Sequence, residues 1–530
     1  MIRRLALVAL AGCLARPAQP LVAQMEHAHS AHALAEVGRV RFPTSCSAAA
    51  QPSFERGVAL LHNFWFDRAA AAFHEAAGAD TSCAMAWWGV ASTSLHPLWA
   101  PPTPAELRAG ADAVARARSL DARTDRERAW IAAIGAFFDS SAALAHAARL
   151  RAWEQALGRV QRDNPADTEA AVFHALALIA VQPKTDTAYA QLKQAAAILE
   201  PLFAVQPHHP GLAHYLIHAY DAPPLVARAG RAAARYAVIA PDAPHALHMP
   251  SHTYSLLGMW DQSIATNARS MQASRHAGNV WYEQLHAADY MVYAYLQEGR
   301  DRDALRLVRW AADSVLPAGN ATAEFAVAAI PARYALERGD WHGAASLTLR
   351  SEVGNVIARS VVAFSRTIGA ARSGELAAGG AEEAAFGPLE AAAAAQPDPF
   401  APTMIRINHL AAAAWLSLAA GDTAGAVRGA TAAADLEDQA LKNPLTPGPL
   451  LSARELLGDM LLAVGRPADA EAAYAAALAR TPRRLRCLSG ALRAASLAGD
   501  TAATQRYRRE LRGLMARADR GRRELSLAGP

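Results

Sequence analysis

Histidines recur in phase along the middle of this chain. His214 and His218 are four residues apart, as are His248 and His252, and the second pair follows the first by 34 residues. The same shift carries His252 onto His286, His248 onto Tyr282 and Tyr220 onto Tyr254, while Asp221 is matched two shifts on by Asp289. Residues four apart share one face of a helix, and residues one repeat apart share one slot on neighbouring helices. Four imidazoles in this pattern form a patch about 8–10 Å wide and about 6 Å tall. Imidazole suits zinc, copper, nickel or iron. An ion held by three residues with one open position activates water, and Asp221 or Glu283 is then the nearest candidate base. Asp221 and Asp289 add carboxylates to the donor set. Pro250 falls between His248 and His252. A proline inside a helix costs about 3 kcal/mol and frees a carbonyl, so strain is expected where the histidines gather.

A second ladder lies upstream. Leu61-His62-Asn-Phe-Trp65 and Leu95-His96-Pro-Leu-Trp99 share one pattern, again 34 residues apart, and place His62 and His96 at the ends of successive helices. A His-rich stretch, Glu26-His27-Ala-His29-Ser-Ala-His32, reads as a polar tether. There is no Gly-rich phosphate loop, no Gly-x-Ser-x-Gly elbow and no His-Glu-x-x-His, so no catalytic residue is assigned.

The elements that must position these side chains are helical. Of 530 residues 52 % are hydrophobic but only 7 % aromatic; the difference is mostly alanine, the best helix former. Basic and acidic residues nearly balance, 52 against 48, which excludes a nucleic-acid surface built on net charge. Only Lys184, Lys193 and Lys442 are lysine. Beyond the N-terminus no apolar run reaches the roughly 18 residues of a membrane span. Ile2-Arg3-Arg4 followed by apolar Leu5 to Leu14 reads as an export signal. Leu10-Ala11-Gly12-Cys13 resembles a bacterial lipobox, in which Cys13 is lipidated; the alternative is ordinary cleavage near Ala23. Either way the expected location is the periplasm, soluble or anchored to the outer membrane. Cys46 and Cys83 are then placed to pair in an oxidising compartment, and Cys487 reads as a buried apolar residue.

Internal repetition decides the fold class. Gly458, Ala470, Tyr474, Ala477 and Pro482 fall at intervals of 12, 4, 3 and 5, and Gly57, Ala69, Phe73 and Ala76 repeat the first three. These intervals resemble the tetratricopeptide repeat, a 34-residue helix–turn–helix unit. Gly339-Asp340, Gly421-Asp422 and Gly499-Asp500 read as helix stops and restarts, and Thr103 to Glu106 and Thr124 to Glu127 as capping boxes. The resemblance implies an all-α, right-handed solenoid whose first helices line a concave groove. In its register His214, His218 and Asp221, then His245, His248 and His252, then Tyr282, His286 and Asp289 face that groove. The His214-Tyr-Leu-Ile-His218-Ala-Tyr-Asp221 and His245-Ala-Leu-His248-Met-Pro-Ser-His252 segments also resemble a group of exported bacterial tetratricopeptide proteins, a likeness that supplies no activity.

The expected organisation is a signal over 1–23, a tether over 24–50, N-terminal repeats with a proline-rich insertion over 51–165, and a central array over 166–370. An Ala/Gly-rich linker over 371–400 and a final array with an arginine-rich capping helix over 401–530 complete it. The reading carried forward is an extracytoplasmic repeat protein that binds a protein, a peptide or a small ligand in its groove, with no nucleic acid and no membrane span. The alternative is a metal-binding protein or metal-dependent enzyme using His214, His218, His248 and His252 with zinc, copper or iron. A third reading makes the histidines structural.

Overall fold

Alanine-rich segments interrupted at glycine turns fold here into helix after helix. A computed structural model describes residues 36–98, 101–139, 141–396 and 400–529, and among these no strand forms. Cys13, the signal, Trp99 and the tether histidines lie outside the described residues. Val37 onward is one unit in which each helix packs on its chain neighbours: Gln51–His62 on Phe66–Ala79, Trp260–His276 on Trp281–Gln297, Ala401–Ala419 on Thr423–Asp438. The architecture is an all-α solenoid of tetratricopeptide-like hairpins.

The repeat spacing has a steric cause. A Cβ on Gly57 would lie 2.6 Å from the Phe73 ring, and one on Gly89 2.3 Å from it. In the C-terminal copy, a Cβ on Gly458 would lie 2.8 Å and one on Gly490 2.3 Å from Tyr474. One aromatic ring thus fills the space left by two glycines, one on the helix before its own and one on the helix after. The Gly-Asp turns also work as read: Gly339, Gly421 and Gly499 have φ of +67°, +91° and +79°, and Asp340, Asp422 and Asp500 accept from the backbone N–H three residues on.

Three expectations change in part. The Thr103–Glu106 capping box forms in both directions, but Glu127 does not reach back to its own N-cap; it accepts from Ser45 N and Ser45 Oγ, each at 2.6 Å. Within the expected linker the described residues form packed helices: Leu376–Glu383 and Phe386–Ala394 are helical, and Phe386 and Leu389 are buried. The arginine-rich end is exposed as expected at Arg506, Arg508, Arg509, Arg512 and Arg517, with one exception: Arg522 is buried and pairs with Asp301 (3.1 Å).

Distant segments cover the middle of the array. The first hairpin reaches it through the His62 carbonyl, which accepts from His214 Nδ1–H (2.6 Å), and through Asn63 Oδ1, which accepts from Tyr236 (2.9 Å). From the other side the 441–451 segment is held by Arg333, which donates to the Gly448 and Pro449 carbonyls. Arg484 enters beside it and donates to Tyr293 Oη (2.8 Å). The face to which the repeat register directs the histidines is therefore lined by the chain's own remote parts.

Candidate metal centre

Prolines start three of the four helices that carry the histidines. Pro210 opens Pro210–Ala219, which holds His214 and His218. Pro244, one repeat later, opens the short helix Pro244–His248, which holds His245 and His248. Pro250 does not sit inside a continuous helix; the helix breaks before it, and Pro250 opens Pro250–Leu256, which holds His252. A missing N–H costs nothing at a first helical position. Carbonyls of the broken segment find partners on the following helix: Ser270 Oγ donates to the Pro244 carbonyl (2.8 Å) and Thr266 Oγ1 to that of Leu247 (2.5 Å). This accounts for polar residues in a helix where the repeat pattern calls for alanine and an aromatic ring. His286 comes from Trp281–Gln297.

Six imidazoles converge in two triads. His214, His218 and His245 form one; His248, His252 and His286 form the other; within each, one nitrogen per residue lies within 4.8 Å of the others. All six rings are buried. The triads adjoin: the His218 and His252 ring centres are 5.9 Å apart, and those of His245 and His248 are 6.0 Å apart. Phe64, at the turn after the first helix, stacks on His245 with 5.5 Å between centroids and meets the edge of His214 at 4.5 Å. Tyr290, one turn beyond His286, stacks on His252 (5.2 Å).

Hydrogen bonds at the outer nitrogens set the protons. Asn267 Nδ2 donates to the Ser263 carbonyl (2.8 Å), which turns Oδ1 toward His248 Nδ1 at 2.6 Å. That oxygen can only accept, so His248 carries its proton on Nδ1. His252 Nδ1 faces Asp221 Oδ2 at 2.9 Å, and the same oxygen accepts from Lys442 Nζ at 2.9 Å; His252 too carries its proton on Nδ1. The two Nε2 atoms, both without protons, then face each other at 3.1 Å. The Tyr290 hydroxyl has one proton to share among His252 Nε2 (3.3 Å) and the carbonyls of Thr446 (3.1 Å) and Pro444 (3.4 Å). His214 repeats half of the pattern: its Nδ1–H donates to the His62 carbonyl, and its Nε2 meets His218 Nε2 at 3.1 Å, a contact across which His218 Nε2–H can donate.

Protonation does not relieve these contacts. Burial, and then the neighbouring imidazoles and the Lys442 ammonium, hold His248, His252 and His286 well below the ordinary imidazole range. Burial likewise lowers His214, and it lowers His218 to about 3. Neutral imidazoles with lone pairs turned inward are the form that binds metal. At a metal–nitrogen distance of roughly 2.0–2.1 Å the edge of a tetrahedral site is about 3.3 Å, close to the 3.1 Å found in both pairs.

The third cluster, His62, Glu169 and His209, differs. His209 Nδ1 accepts from Leu212 N, so its Nε2–H donates to Glu169 Oε1 (2.7 Å). His62 Nε2 lies 2.8 Å from Glu169 Oε2, and its Nδ1 lies 2.9 Å from the Tyr215 hydroxyl. Every proton here has an acceptor. Burial alone would raise Glu169, but the flanking imidazoles bring it down to about 2. This is a satisfied structural network.

A cleft of about 290 Å³ reaches one of the six histidines, His218. Its walls include Leu98, Ile179, Phe400 and Leu445, and His218, Asp221 and Lys442 also line it. Two of the chain's three lysines, Lys184 and Lys442, are among its lining residues.

No family model matches this chain, and no curated protein matches it. Solved structures do. The human IFIT1 dimer with m7Gppp-AAAA is 14 % identical, with 77 % of this chain and 86 % of that chain covered at a TM-score of 0.37. The APC/C hetero-tetramer Cut9–Hcn1 is 12 % identical, with 89 % and 81 % covered at 0.36. Naa15/Naa10 bound to HypK is 11 % identical, with 88 % and 70 % covered at 0.21. Likenesses of this size transfer no ligand or activity.

The residues singled out by spacing separate in the fold. His214, His218, His245, His248, His252 and His286 come together, but the four histidines of the two pairs do not make one site; each pair takes a third imidazole from the next repeat. Asp221 orients His252. Asp289 is drawn away to Arg333 (2.7 Å), with both side chains fully buried. Tyr282 lines a small cavity with Phe64 and His245. His62 joins Glu169, whereas His96 stands apart against Phe66 (4.4 Å) and Glu106 (3.8 Å). Cys46 and Cys83 are disulfide-bonded, and Cys487 is buried with its thiol on Glu455 (3.1 Å). Sequence spacing did not reveal Phe64, Tyr290 or Lys442 as parts of the site. Asn267 carried a signal, as an amide where the repeat expects a packing residue.

Proposed function

We propose that this protein is an exported helical-repeat scaffold that holds a transition-metal ion on His248, His252 and His286. The observation that carries the reading is the pair of Nε2 atoms facing at 3.1 Å in a buried site, with Asn267 and Asp221 placed to hold both protons on the outer Nδ1 atoms. Two lone pairs at that distance repel, and a cation between them converts the repulsion into coordination. Asn267 and Asp221 do what outer partners of metal-bound histidines do: they fix the tautomer and the ring plane. The Cys46–Cys83 disulfide supports the oxidising location read from the N-terminus. The largely apolar cleft that His218, Asp221 and Lys442 help to line supports a small ligand approaching beside the centre, where Asp221 meets His252. Binding of a protein or peptide partner has the repeat scaffold alone as its support.

The test is metal content. Protein made without a His tag and exported to the periplasm is assayed by plasma mass spectrometry beside a His248→Gln, His252→Gln variant whose helicity is checked by circular dichroism. At least one equivalent of zinc, copper or iron in the parent, and one equivalent fewer in the folded variant, is expected. A parent that is metal-free and takes up none of these ions on incubation overturns the proposal.

A further inference from the structure

We infer that His214, His218 and His245 form a second ion site beside the first, so that the interior holds a pair of ions, and that the donor set favours copper(I). The inference rests on the metal reading above and extends it to a triad that the reading does not need.

Repetition with a shift is the first support. His214 and His218 stand in one repeat where His248 and His252 stand in the next, and both pairs place Nε2 against Nε2 at 3.1 Å. Each pair is completed from the following repeat, the first by His245 and the second by His286. The equivalent of His245 one repeat earlier is Gly211, where even a Cβ would lie 2.6 Å from His62 Nδ1. The ladder therefore cannot extend toward the N-terminus. Toward the C-terminus Asp289 is committed to Arg333. The fold thus closes the array at two triads.

Charge is the second support, and it bears on the metal. All six donors are imidazoles, which bring no charge of their own to a metal, without thiolate or carboxylate among them. The nearest carboxylates are Asp221, already neutralised by Lys442 (2.9 Å), and Glu283, 3.4 Å from His245 Nδ1. Two divalent ions would bring four positive charges into a buried site, and buried charge without compensation is costly. Two monovalent ions bring half of that charge. Imidazole binds copper well, and copper is the ion of that group that is stable as a monovalent cation. The cleft that reaches His218 and Asp221 then gives a small neutral or anionic molecule a route to the pair.

The experiment is an anaerobic titration of the full chain with copper(I) against a chromogenic chelator. It is done in a background of His27→Ala, His29→Ala and His32→Ala, which removes the N-terminal imidazoles. Two tight equivalents are expected, falling to one in His214→Gln and to one in His252→Gln. Each variant is first shown to keep the parent's helicity and thermal midpoint within a few degrees. Copper K-edge absorption of the loaded parent is expected to show nitrogen-only coordination. One equivalent in the parent, removed by His252→Gln and untouched by His214→Gln, overturns the second site and leaves the first reading standing. No tight equivalent of copper, together with uptake of zinc, overturns the copper assignment. No uptake of either ion overturns both readings.

Discussion

Asn267 offers a sharp test because it touches no ion and yet determines where His248 keeps its proton. Consider Asn267→Leu, which keeps the volume and removes the acceptor. In the parent, His248 Nδ1–H donates to Oδ1 at 2.6 Å, and the amide is locked by Ser263. Without that acceptor His248 can place its proton on Nε2 and donate to His252 Nε2, 3.1 Å away. The variant's metal-free state then gains a hydrogen bond worth about 0.5–1.5 kcal/mol, which an arriving ion must break. The ring also loses its orientation. Loss of such an outer partner lowers metal affinity about 10–100-fold, or roughly 1.4–2.7 kcal/mol. Folding stability should fall by less than about 2 kcal/mol, because only Nδ1 is left without a partner. The assay is zinc affinity by competition with a chelator, alongside a urea midpoint. A purely structural role for Asn267 predicts the reverse: lower stability with unchanged affinity. A folded variant whose zinc affinity stays within threefold of the parent would refute the tautomer argument.

Three further outcomes follow from the same geometry. Glu169→Gln should destabilise the protein by about 3–5 kcal/mol, since it breaks a buried charge-assisted network, while metal content stays unchanged; loss of metal would show that this cluster is not merely structural. Gly490→Ala should cost about 1–3 kcal/mol by overpacking against Tyr474, whereas Gly513→Ala, on a helix with nothing within 4 Å of the new methyl, should stabilise by about 0.4–1 kcal/mol; urea midpoints decide both. Burial alone would raise Glu455, but Arg484 and Arg486 hold it at about 2, below its ordinary 4.5. Its contribution is therefore present above pH 4.5 and is lost as pH falls toward 2, and Glu455→Gln should flatten the acid limb of stability over that window.

Much of the scaffold was legible in the residues because its causes are local. Gly57 with Phe73 and Gly458 with Tyr474 report a steric fit repeated at fixed spacing, and the Gly-Asp turns report a positive φ followed by a side-chain cap. The capping box at Thr124 was only half legible: its Glu127 has a competing partner, Ser45, 82 residues away in sequence, which no local pattern contains.

The sequence by itself determined the helical class, the hairpin period and the phase that brings His214, His218, His248, His252 and His286 to one side of the array. It did so because helix faces and repeat slots follow from counting along one chain direction. Tertiary structure decided how those histidines are grouped, which protons they carry and what covers them. Those outcomes depend on His245 as a third donor, on Asn267 and Asp221 as acceptors, on the His62 carbonyl and Phe64 from the first hairpin, and on Lys442 from a segment more than two hundred residues away. Each acts through a contact of about 3–6 Å between parts of the chain whose sequence separation bears no fixed relation to their distance in space. The same reason sends Asp289 to Arg333 rather than to the histidines with which it is in phase.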